Sequence, residues 1–183
     1  MPRFAANLSM MFTEWDFLDR FKAASDAGFE AVEFLFPYEH AHEKIGLALV
    51  GAELEQALFN LPPGDFANGE RGIAALAGRE EEFRAGIDTA LPYVHETGVK
   101  RLHMMAGLAD PADAAAQARY RDAIAYAADR LAEHGIDLLL EPINGRDMPG
   151  YFLNDFDQAA AYVREAARPN VKLQFDMYHC ELI

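Results

Sequence analysis

The sequence predicts an α/β chain of the (β/α)8 TIM-barrel type, incomplete, with about six strands and five helices present. Three observations carry this. Short apolar runs alternate strictly with amphipathic stretches, the order required by a parallel sheet with right-handed crossovers. No Gly-x-Gly-x-x-Gly follows the first strand and no Walker A motif occurs, so a doubly wound nucleotide-binding sheet is disfavoured. In the last strand, Val171, Leu173 and Phe175 alternate with Lys172, Gln174 and Asp176, which sets one face toward helices and the other toward a polar barrel interior. A complete barrel needs roughly 250 residues. We therefore expect residues 1–183 to form a single domain, a partial barrel lacking the last two βα units.

The elements follow in order. Phe4–Leu8 reads as a first strand, and Thr13 with Asp16 as a capping box opening a helix whose inner face is Phe17, Leu18, Phe21 and Ala24. Gly28 closes that helix. Ala31–Phe36 is a second strand, stopped by Pro37; Glu43–Glu55 is a helix weakened by Gly46 and Gly51; Gln56–Asn60 is a third strand. The stretch from Leu61 to Arg79 reads as a long loop rich in glycine, and loops of that length are usually functional or mobile. A third helix carries Phe83, Ile87, Leu91 and Val94 on one face, with a kink expected at Pro92. Lys100–Met105 is the fourth strand. The helix from Ala112 to His134 shows one stripe of Tyr120, Ile124, Ala127 and Leu131. Leu138–Leu140 forms a fifth strand ending at Glu141 and Pro142, a fifth helix is capped by Asn154 and faces inward with Phe156, Ala159, Ala160 and Val163, and a sixth strand ends at Asp176.

Composition narrows the function. At 51% hydrophobic residues the chain can build one sizeable core. A formal net charge of −14, with no clustered Lys and Arg, argues against a nucleic-acid partner. Cys180 is the only cysteine, so a reducing compartment is expected, and without a signal-like start or a run of eighteen apolar residues the expectation is a soluble, cytoplasmic protein with no membrane partner. Glu141 and Asp176 stand at carboxyl-terminal strand ends, the edge on which barrels build their sites. Two acids there suggest a hard-metal or proton-transfer site.

Several stretches together resemble hydroxypyruvate isomerases of the xylose isomerase-like barrel superfamily: Phe4–Met10, Val32–Tyr38, Asn60–Pro62, Gly69–Gly72, Pro142–Asn144 and Asp176–His179. Leu140–Asn144 followed by Met148–Tyr151 favours that branch over the related 2-oxo-tetronate isomerases. The resemblance implies interconversion of hydroxypyruvate and 2-hydroxy-3-oxopropanoate through an enediolate, helped by a divalent metal, Mg or Mn. It implies Glu141 and Asp176 as metal ligands and Glu141 also as the proton-transfer carboxylate. Arg71, His103 and His179 are implied to bind a small 2-oxo acid, Arg71 through its carboxylate, and a homo-oligomer is compatible with it. The family completes its site with a glutamine after strand seven and a second glutamate after strand eight, so a non-catalytic truncated barrel and another sugar-acid isomerase or epimerase stand as alternatives. From the residues alone, His103 could be a satisfied core histidine, His179 a loop histidine, and Arg71 a partner of Glu70 or Glu80. Histidines 40, 42, 95 and 134 read as surface residues, and Cys180 has no base beside it.

Overall fold

Six parallel strands in sequence order form the inner wall of the molecule, and helices cover its outside. The computed structural model describes residues 2–183. β1 (Ala5–Asn7), β2 (Ala31–Glu33) and β3 (Glu55–Gln56) form one parallel set. β4 (Phe59–Asn60), β5 (Arg101–His103), β6 (Asp137–Leu140) and β7 (Val171–Leu173) form another. β3 and β4 are the two halves of the expected third strand, separated at Ala57 and Leu58. The break is bridged by backbone bonds: Ala57 N donates to Val32 O at 2.8 Å, and Asn60 N to Leu35 O at 2.9 Å. The chain thus tracks β2 on one side throughout while passing from one set to the next. Among the described residues, β1 and β7 each have one hydrogen-bonded neighbour, so the barrel is open between them.

The helices are α1 (Arg20–Asp26), α2 (His42–Ala52), α3 (Glu80–Thr97), α4 (Ala114–Ala132), α5 (Phe156–Ala166) and α6 (Met177–Leu182). The expected stripes on α3 and α4 are the buried ones, Phe83, Ile87, Leu91 and Val94 on the first and Tyr120, Ile124, Ala127 and Leu131 on the second. Burying each large apolar side chain of this kind contributes roughly 1.5–3 kcal/mol, which outweighs the weak helix propensity of any one residue. The same packing explains Pro92: α3 runs through it because Leu91 and Tyr93 beside it are buried and hold the turn whose hydrogen bond it cannot make.

Five expectations need correction. The capping box at Thr13 does not form; Arg20 donates to Leu8 O at 2.8 Å and Trp15 O at 3.0 Å, tying residues 8–16 into turns, and helical structure begins only at Phe17. Asp155, not Asn154, caps α5, its carboxylate accepting from Gln158 N at 2.7 Å. On α5 the fully buried pair is Ala159 and Tyr162, while Phe156, Ala160 and Val163 are half-buried. A sixth helix was not expected; Asp176 starts it by accepting from Tyr178 N at 2.7 Å and His179 N at 3.2 Å. On β7, Val171 is buried as expected, but Leu173 and Phe175 are 37% and 61% exposed, Phe175 meeting Phe156 of α5.

The long loop is ordered structure rather than a mobile connection. Ile73, Ala74 and Ala75 are buried, Gly72 bridges Ala106, and Ala75 N donates to Ala106 O at 2.8 Å. Gly72 has a φ of +98°, and a Cβ there would collide with the carbonyl of Met105. Only glycine allows that close approach.

Candidate functional site

Every strand except β3 contributes a polar residue at or just past its carboxyl-terminal end to one cavity of about 580 Å³. Asn7 comes from β1, Glu33 from β2, Asn60 from β4 and His103 from β5; Glu141 and Gln174 follow β6 and β7, and Asp176 and His179 lie on the segment leading into α6. Pleating explains the set. Neighbouring residues on each strand point the other way into the helix-facing core, such as Val32 and Leu102, both fully buried.

Glu141 and Asp176 are brought together as the sequence implied. One ligand atom from each of Glu141, Asp176 and His179 lies within 4.8 Å of the others. Glu141 is 7% exposed. Burial pushes its carboxyl up to about 8, the charge of Asp176 pushes in the same direction, and Glu33 adds to it. Opposing them, Gln174 Nε2 donates to Glu141 Oε1 at 2.9 Å and favours the ionised form.

His103 is buried, with Nδ1 3.2 Å from Asn60 Oδ1. An amide oxygen can only accept, so Nδ1 carries the proton and Nε2 a lone pair. That Nε2 has no hydrogen-bond partner and stands 3.8 Å from Glu141 Oε2, too far for a direct bond. Burial, with the nearby charge of His179, lowers its pKa to about 4, so the ring is neutral at pH 7. It is therefore less satisfied than a core histidine, with an unpaired acceptor buried beside Glu141.

Arg71 sits behind the wall. Its guanidinium stacks 4.1 Å from the centre of the Phe66 ring and donates to Phe66 O at 3.0 Å and Glu70 O at 2.8 Å. Phe66 lines the cavity and Arg71 does not. Its anticipated partner Glu70 is held instead by Arg79, which donates from Nη2 at 3.1 Å.

Sequence reasoning gave no role to Glu33, which is half-buried and receives Asn7 Nδ2 at 3.0 Å. Burial raises its pKa above the usual carboxylate range, and the charge of Asp176 adds to this. The expected second strand ran on to Phe36 and left Glu33 in its interior; β2 ends at Glu33, which puts this acid at the same sheet edge as Glu141. A divalent cation fits this donor set, because Glu141 and Asp176 bring carboxylate oxygens together with His179 while burial and the charge of Asp176 disfavour an ionised Glu141, and oxygen donors suit Mg or Mn.

The fold and the site have recognisable relatives. Residues 21–182 match the family described as xylose isomerase-like TIM barrel. A 2-oxo-tetronate isomerase of Cupriavidus necator is 55% identical over 185 residues, covering 100% of this chain and 71% of the relative. A hydroxypyruvate isomerase of Escherichia coli is 43% identical over 183 residues, covering 99% and 71%. A crystal structure described as an AP endonuclease, family 2, from Brucella melitensis superposes with a TM-score of 0.97 at 49% identity, covering 100% of this chain and 71% of that one. The match extends over nearly the whole chain, and the chain belongs to the xylose isomerase-like TIM barrel family.

Proposed function

We propose that the chain carries the site of an isomerase acting on small 2-oxo acids that bear a hydroxyl on the neighbouring carbon, with hydroxypyruvate as the substrate to test first. The convergence of Glu141, Asp176 and His179 within 4.8 Å inside the strand-end cavity carries the reading. In the forward direction a carboxylate removes a proton from C3 of hydroxypyruvate, giving an enediolate spanning C2 and C3. Return of that proton to C2, with the hydroxyl proton passing from the C3 oxygen to the C2 oxygen, gives 2-hydroxy-3-oxopropanoate. Glu141 is the base: in water-poor surroundings a carboxyl with a pKa near 8 is matched to proton transfer near neutral pH. Glu141 and Asp176 would hold a divalent cation, Mg or Mn, which when bound would supply Lewis-acid stabilisation of developing negative charge on the substrate. The bare Nε2 of neutral His103 lies 3.8 Å from Glu141 Oε2 and lets the base change protonation without a fixed positive charge beside it. Arg71 stiffens Phe66 in the wall and comes to the substrate carboxylate only if the loop shifts.

A second substrate is favoured by one observation: the 55% identical relative is a 2-oxo-tetronate isomerase. Both reactions move a proton between the same two carbons, and they differ in the group beyond C3. Comparing kcat/KM for hydroxypyruvate and 2-oxo-tetronate, with and without added Mn2+, decides between them. Turnover of neither substrate in the presence of Mn2+ would count against the reading.

A further inference from the structure

We propose that Asn144 is a positioning residue that fixes the tautomer of His179, so that this histidine meets the substrate through Nε2–H. Asn144 is 0% exposed. Its Oδ1 accepts from the backbone N–H groups of Arg146 at 3.0 Å and Asp147 at 2.9 Å. A side-chain amide nitrogen cannot accept those bonds, so the amide has one allowed orientation and Nδ2 faces the other way. There Nδ2 lies 2.7 Å from His179 Nδ1 and 3.1 Å from Asp147 Oδ2, which also receives the Tyr178 hydroxyl at 2.6 Å. The backbone N–H of Asn144 approaches the same Nδ1 at 3.5 Å. Both groups facing Nδ1 are donors. Nδ1 therefore keeps its lone pair, and the neutral ring carries its proton on Nε2.

The chemical consequence rests on the isomerase reading above. With Nδ1 engaged and Nε2 protonated, His179 offers no lone pair to a cation, although it stands beside Glu141 and Asp176. The two acids are then the metal ligands, and His179 presents an N–H donor to a carbonyl oxygen that gains charge as the proton leaves carbon. Asn144 also pins the ring plane, so the donor is oriented before substrate arrives.

The test reads the ring directly. In the chain labelled with 15N-histidine, a long-range 1H–15N correlation spectrum at a pH where the ring is neutral distinguishes a protonated ring nitrogen from an unprotonated one, and His179→Gln identifies the signal by its loss. The expected result is Nε2 protonated and Nδ1 bare. A protonated Nδ1, or an even mixture of tautomers, overturns the proposal. Asn144→Asp keeps an oxygen for the Arg146 and Asp147 amides but faces Nδ1 with a second oxygen that can only accept. It is expected to move the proton to Nδ1 and to lower kcat by roughly 10–100-fold with a smaller change in KM; retention of the Nε2–H tautomer in this variant overturns the proposal. The unsubstituted chain alone settles the tautomer if that variant does not fold. A chain with the Nε2–H tautomer and no turnover contradicts the isomerase reading and supports the role of Asn144.

Discussion

Gln174 Nε2 donates to Glu141 Oε1 at 2.9 Å, joining the end of β7 to the end of β6. This bond works against the burial and like charge that favour a neutral Glu141. Removing it in Gln174→Leu is expected to raise the pKa of Glu141 further above 8 and to weaken Mn2+ binding at pH 7. Hydrogen bonds to charged groups contribute about 1.5–3 kcal/mol, so the loss should be on the order of tenfold or more by calorimetric titration. Unchanged affinity would separate Gln174 from the state of Glu141.

The raised pKa of Glu141 also fixes the sign of a stability effect. The folded state holds this proton up to about pH 8, whereas the unfolded chain releases it near 4.5. The contribution is fully present below pH 4.5 and is lost as pH rises to 8 and beyond. Glu141→Gln lacks the titrating group. In metal-free protein, its melting temperature minus that of the unsubstituted chain should therefore grow between pH 5 and pH 8, and added Mn2+ should raise the melting temperature only where Glu141 is present.

Glu33 is the acid whose role the sequence did not disclose, and its charge contributes to raising the pKa of Glu141. Glu33→Gln should lower the pH midpoint of Mn2+ binding. A midpoint that stays in place would show that Glu33 does not sense the cation site.

The loop that closes one side of the cavity depends on Gly72, which has a φ of +98° and presses against the carbonyl of Met105. Gly72→Ala should cost on the order of 1–3 kcal/mol and speed hydrogen exchange at the amide of Ala75, which donates to Ala106 O. By contrast, Arg79→Met, which removes partly exposed ion pairs with both Glu70 and Glu82, should cost on the order of 1 kcal/mol. The Glu70 carboxyl is held down to about 2 by its hydrogen bonds from Arg79 and the Asp65 amide. Its contribution is present above pH 4.5 and lost as pH falls toward 2.

These residues also show which parts of the fold were legible in the sequence. The stripe of Tyr120, Ile124, Ala127 and Leu131 was readable because helix periodicity and burial are local in sequence. Glu141 and Asp176 were readable because acids ending apolar strands point to one edge of a parallel barrel. The order of the long loop was not, because it comes from Gly72 meeting Ala106, far along the chain. The cap at Asp155 was missed for a smaller reason: Asn154 and Asp155 are both good caps, and backbone geometry chooses between them. Arg71 was assigned from the resemblance and from the fit of a guanidinium to a carboxylate, and only the packing reveals that its guanidinium is engaged with Phe66.

The central claim is that Glu141 moves a proton on a carbon of the substrate. It is tested most directly by following deuterium entry at C3 of hydroxypyruvate in D2O with Mn2+ present, which reports enolisation without requiring the whole reaction. The unsubstituted chain should exchange C3 hydrogen in a Mn2+-dependent manner, and Glu141→Gln should slow that exchange by roughly 10²–10⁴-fold. Exchange at an undiminished rate in Glu141→Gln would contradict the account.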